Sequence, residues 1–99
     1  MMGDRIAIQF TSEEWGMDSP VLYSHWGGKT VINDVNKFIK TFGKKLKGST
    51  PGVYMLNFIS WLLKGGVSRD FDYDLEDSDY DNCEDNGNWV YDVEKEEWV

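Results

Sequence analysis

Hydrophobic residues alternate one-in-two at both ends of this chain and recur at three- and four-residue steps in its middle. That change of period fixes which segments can be strands and which helices. Arg5 to Phe10 alternates Ile6, Ile8 and Phe10 with Arg5, Ala7 and Gln9, the pattern of a half-buried strand. Ser12 to Ser19 is a polar connection containing Gly16. Pro20 to Trp26 is expected as a second strand in a hairpin with the first, stopped by Gly27-Gly28.

From Thr30 to Leu46 the period becomes helical. Val31, Val35, Phe38, Ile39, Phe42 and Leu46 form one apolar stripe, with Lys37, Lys40, Lys44, Lys45 and Lys47 on the other side and at the C-terminal end. Gly43 weakens this helix and Gly48 is its natural stop. Ser49-Thr50-Pro51 then signals a new start, a hydroxyl cap followed by proline in the first turn. The helix to Lys64 is apolar nearly all round, and Asn57, Ser60 and Lys64 make a single narrow polar stripe. Such a helix is expected to be buried on most sides, within the domain or against a second protein, which in a homo-oligomer would be another copy of the chain. Gly65-Gly66 ends it.

Alternation returns at Asp70 to Glu76, with Phe71, Tyr73 and Leu75 expected inward and the carboxylates outward. Asp77 to Gly87 reads as a polar loop, Asn88 to Val93 as a strand through Trp89, Tyr91 and Val93. A short last strand over Glu96 to Val99 follows a turn at Glu94-Lys95. The order ββααβββ predicts one α+β domain over residues 1–99, two helices on one face of a mostly antiparallel sheet. A chain of 99 residues has room for one modest core.

Charge divides the chain as sharply as period does. Before Asp70 there are nine Lys/Arg against five Asp/Glu; from Asp70 onward there is one Lys against thirteen acids, giving the net charge of −8. Asp70, Asp72, Asp74, Glu76, Asp77, Asp79, Asp81, Glu84 and Asp85 lie together with no basic residue among them. Such density repels itself and calls for a counter-charge or a partner. Pairing with the lysines of the first helix is one expectation. The other is outward display: alternate strand residues stand about 7 Å apart, the order of phosphate spacing along a nucleic-acid strand. These nine residues are therefore the expected contact with a partner protein of basic surface, by mimicry of a nucleic acid. The acidic balance and the lack of aromatics interleaved with the lysines argue against direct nucleic-acid binding.

Other chemistries find less support. His25 stands beside Trp26 with no Ser or Cys nucleophile placed as its partner, and reads as a histidine satisfied at a sheet edge. Cys83 lies among Asp81, Glu84 and Asp85, where its thiolate is disfavoured. No enzyme is expected. The run Asp77 to Asp85 matches the start of a calcium loop, so Asp77, Asp79, Asp81 and Asp85 are candidate ligands for calcium or magnesium. Asn82 would supply that loop's left-handed residue. The match ends at Asn88, where a bidentate Glu is required, and its flanks read as strands. No run of about 18 apolar residues and no basic-then-apolar leader are present, so neither a membrane span nor a secretory signal is expected. One cysteine without a partner fits a reducing cytoplasm.

The segment Val21-Leu22-Tyr23-Ser24-His25-Trp26-Gly27-Gly28 resembles an "LYSHWGG" stretch of a group of small phage and prophage proteins. Those share an N-terminal strand, two helices and a C-terminal strand pair separated by an acidic turn. The resemblance implies a viral or mobile-element accessory protein, in the host cytoplasm, and carries over no functional residue. Tyr23 and Trp26 are expected as packing anchors.

Overall fold

Residues 3–64 and 72–99 are described by the computed structural model. Among them the elements run β1 (Ile6–Ser12), β2 (Met17–Asp18), β3 (Val21–Ser24), α1 (Thr30–Leu46), α2 (Pro51–Lys64), β4 (Tyr73–Glu76), β5 (Asn88–Asp92) and β6 (Glu97–Trp98). The strands join in one sheet ordered β4-β3-β1-β5-β6, with β2 folded back on the end of β1. The class is α+β, in the element order that the periodicity implies. The sheet is mixed, because β1 and β5 run parallel, with Ala7 opposite Asn88 and Thr11 opposite Asp92.

β1 is the central strand and is buried on both faces. Toward the helices it presents Ile6, Ile8 and Phe10, all fully buried. They meet Val31, Val35 and Phe38 of α1 and Tyr54, Met55, Phe58 and Leu62 of α2. Phe10 lies at the junction, its ring edge-on to Phe58 at 5.8 Å and to Tyr91 at 6.2 Å. Edge-to-face pairs of this kind add about 1 kcal/mol each beyond the area they bury. The other face of β1 is covered too, since Ala7 is fully buried.

Both helices occupy the segments that the apolar spacing marks. Thr50 caps α2 by accepting from the Val53 N–H at 3.4 Å. Gly48 takes φ +88 between the helices, a backbone that favours glycine. α1 begins differently, without a side-chain cap. There the Ser24 hydroxyl accepts from Gly27 N at 2.9 Å, and Gly28 N donates to the Asp4 carbonyl at 2.8 Å. Gly28 has φ +56, and a β-carbon on it would overlap the Asp4 carboxylate. Gly28→Ala therefore combines left-handed strain with displacement of Asp4 from Asn86. A loss of about 2 kcal/mol is expected, read as a lower urea midpoint with an unchanged slope.

Four expectations need correction. The exposed stripe of α2 includes Val53, Leu56 and Leu63 beside its polar residues, and Leu56 is 69% exposed. Trp26 is 57% exposed at the end of β3, so it is no core anchor; one edge of its ring lies over Gly3. The second strand is shorter than Pro20 to Trp26, and the connection before it contains β2. β4 keeps the expected alternation of faces, but burial does not follow it throughout. Tyr73 packs on the core and Leu75 faces the same side, where it lines a groove with Ile59, Leu62 and Leu63 of α2 yet is 55% exposed; Asp72, just before the strand, is buried at 8% exposure instead of pointing outward. Asp70 and Phe71 lie outside the described residues.

Candidate functional site: an acidic strap across the sheet

The geometry of the acidic segment follows from strand order. β4 is an edge strand, whereas β5 lies beyond β3 and β1, so residues 77–87 must cross the sheet to connect them. The helices occupy one face. The segment crosses the other, as a strap over Ala7.

Alternate residues of the central strands reach up to hold it. Gln9 Nε2 donates to the Ser78 carbonyl at 2.7 Å. The Tyr23 ring meets Tyr80 edge-on at 6.0 Å. Asn88 grips both limbs: its Nδ2 donates to the Tyr80 carbonyl at 3.1 Å, and its Oδ1 accepts from Cys83 N at 3.1 Å. At the far end Arg5 Nη2 binds Glu84 at 2.8 Å and Nε binds Asp85 at 3.0 Å. Asn86 Nδ2 closes on Asp4 Oδ1 at 2.6 Å and on the Arg5 carbonyl at 2.9 Å. Asp85 adopts φ +69, which Asp tolerates, to turn the chain into β5.

Arg5 is thus the counter-charge of this segment. The paired guanidinium lowers the Asp85 carboxyl below its ordinary range, chiefly by donating to it, and Asp85 raises Arg5 in return. Solvent-exposed pairs like these contribute little to stability, so their effect is to position the strap. The lysines do not serve. No ion pair among the described residues joins Asp74–Asp85 to Lys37–Lys47, because the sheet separates them. Lys45 lies on one flank of α1, Lys40, Lys44 and Lys47 on the other.

The remaining carboxylates are displayed on the helix-free face. Register puts Asp74 opposite Tyr23 and Glu76 opposite Val21, both on the side that the strap crosses. Asp74, Asp77, Asp79, Asp81 and Glu84 are exposed, and Glu76 is half-buried. Asp74, Glu76, Asp77, Asp79 and Asp81 carry no ion pair among the described residues. Among the described residues, seven carboxylates from Asp74 to Asp85 therefore share one guanidinium. Of the nine expected contacts, Asp72 is buried, Asp70 lies outside the description, and Glu84 and Asp85 are tied to Arg5.

The expected cation ligands are not gathered. Among the described residues no three His, Cys, Asp or Glu side chains stand close enough to hold a metal ion. The left-handed turn falls at Asp85 and not at Asn82, and Asp85 is taken by Arg5. Burial pushes the Cys83 thiol up, and Asp85 and Glu84 push it further while Arg5 opposes them, so the thiolate is disfavoured as the sequence suggests. His25 is exposed, with its ring edge-on to Tyr23 at 4.8 Å.

The anchors Arg5, Gln9, Tyr23 and Asn88 are the residues that sequence reasoning misses. In a strand pattern Arg5 and Gln9 read as the solvent side, and nothing local tells that another segment lies over them. No helix of the described residues is long and apolar enough to cross a membrane. No family model, no curated protein and no solved structure matches the chain.

Proposed function

We propose that this protein is a non-enzymatic binding module whose acidic strap engages a basic surface of a partner protein, as a nucleic acid would. One observation carries the reading. The segment 74–85 is held against the sheet at Gln9, Tyr23, Asn88 and Arg5, yet most of its carboxylates are in water and, among the described residues, without ion pairs. A loosely tethered acidic tail would lose conformational freedom on binding; an array already fixed loses less. Its contacts would be fast and salt-sensitive, since encounter is steered by charge. The resemblance of Leu22 to Gly28 to phage proteins supports an accessory or inhibitory role in a host cytoplasm, where basic nucleic-acid-binding proteins are available targets.

The test is a titration with a fluorescent peptide of alternating arginine and glycine, as a stand-in for the basic surface. Raising salt from about 0.1 M to about 1 M shortens the screening length from roughly 10 Å to 3 Å. Affinity is expected to fall at least tenfold over that range. Salt-independent binding, or none at low salt, contradicts the proposal.

A further inference from the structure

A second surface, on the opposite side of the molecule, has the reverse character. Phe38, Phe42, Lys45 and Leu46 of α1 face Asn57, Ser60, Trp61 and Lys64 of α2 across a groove of about 410 Å³. Its floor is aromatic and aliphatic, and a lysine stands on each helix beside it. We propose that this groove docks an acidic amphipathic helix of a partner protein.

The occupant is argued from shape and charge together. From Phe38 to Leu46 the floor runs eight residues, roughly 12 Å along α1. An incoming helix with apolar residues at i, i+3 or i+4, and i+7 spans roughly 10 Å, so three anchors fit the floor. Carboxylates flanking those anchors would meet Lys45 and Lys64. A nucleic acid fits poorly, because the rings are already packed on one another. Trp61 is stacked on Phe58 at 6.1 Å and 23°, and Phe38 lies against Phe42 at 5.5 Å and Trp61 at 5.8 Å. Rings committed to one another in this way offer bases less than a free aromatic platform does. A second copy fits poorly as well: of its two helices α1 carries a single acid, Asp34, and α2 none, so neither offers carboxylates on both flanks to meet Lys45 and Lys64.

This inference is independent of the acidic strap. With both surfaces engaged, the protein would bridge a basic partner and an acidic one across its sheet.

The test uses a labelled 14-residue helical peptide with Leu at i, i+4 and i+7 and Glu on the flanks, followed by fluorescence anisotropy on the full chain. Binding is expected to weaken at least tenfold in Lys45→Glu/Lys64→Glu, and equally in Ser60→Trp, which fills the groove while leaving both lysines. A scrambled peptide of the same composition should bind at least tenfold more weakly. Reversal of the strap charges at Asp77, Asp79 and Asp81 should leave peptide binding unchanged, which separates this site from the proposed acidic one. Equal binding of the scrambled peptide, insensitivity to the groove variants, tighter binding of a single-stranded oligonucleotide, or competition by decanoate at equal concentration would each overturn the proposal.

Discussion

Asp92→Ala is expected to destabilise the protein by about 3 kcal/mol or more, a large part of the 5–15 kcal/mol typical of a domain. Asp92 is fully buried. Its Oδ1 accepts from the backbone N–H groups of Glu94 and Lys95, each at 2.9 Å, and its Oδ2 from that of Glu13 at 3.2 Å. One carboxylate thereby ties the turn after β5 to the turn after β1. Hydrogen bonds to a charged acceptor contribute roughly 1.5–3 kcal/mol each, and removing it leaves three part-buried N–H donors without that acceptor. Asp92→Asn keeps one oxygen but turns an N–H₂ toward a donor, so about half the loss is expected.

The effect carries a pH signature. Burial raises the Asp92 carboxyl, but the N–H groups of Lys95, Glu13 and Glu94 and the charge of Lys95 outweigh it, and the net shift is downward. A depressed folded-state value means that the charged form stabilises the fold. That contribution is complete above the ordinary carboxyl range, near pH 4, and is lost as pH falls below it through the folded-state value. Urea melts of wild type and Asp92→Ala should therefore differ most at neutral pH and converge on acidification. A constant difference across that window would show that the carboxylate charge is not what holds the two turns.

The second large effect concerns binding. Asp77→Lys/Asp79→Lys/Asp81→Lys is expected to weaken association with the arginine peptide by roughly 30-fold at low salt, about 2 kcal/mol. Three attractive contacts become repulsive, and like charges opposed across an interface are costly. The control, Glu14→Lys/Glu96→Lys/Glu97→Lys, changes net charge equally at exposed positions off the strap. It should cost less than threefold. Both variants should melt like wild type, because Asp77, Asp79 and Asp81 make no ion pair among the described residues. Equal losses would reduce the strap to net charge alone.

What could be read from the chain divides by range. α1 and α2 were legible because apolar spacing, Pro51 and Gly48 are local signals, and they act within a few residues. The face of β1 that carries Ile6, Ile8 and Phe10 was legible for the same reason. The burial of Ala7 was not, since it depends on residues 77–87 lying over the strand, about eighty positions away. The same distance hid Arg5 as the partner of Glu84 and Asp85 in favour of five nearer lysines, which the sheet screens off. Alternation placed Leu75 on the helix side, as the register has it, but did not foretell its exposure, and it misread Asp72. On an edge strand, burial is decided by how closely the neighbouring elements cover it, and no period encodes that. β2 was missed because two residues are too few to alternate. The nine-carboxylate cluster itself was plain in the sequence; how it is held down was not.

The most direct measurement is an amide-resolved NMR titration of the ¹⁵N-labelled protein with the arginine peptide. The account predicts that shifts concentrate in residues 74–85 and in the amides of Arg5, Gln9 and Tyr23 beneath them, leaving α1 and α2 unmoved. Shifts dispersed over all exposed acids, including Glu14, Glu96 and Glu97, would contradict it.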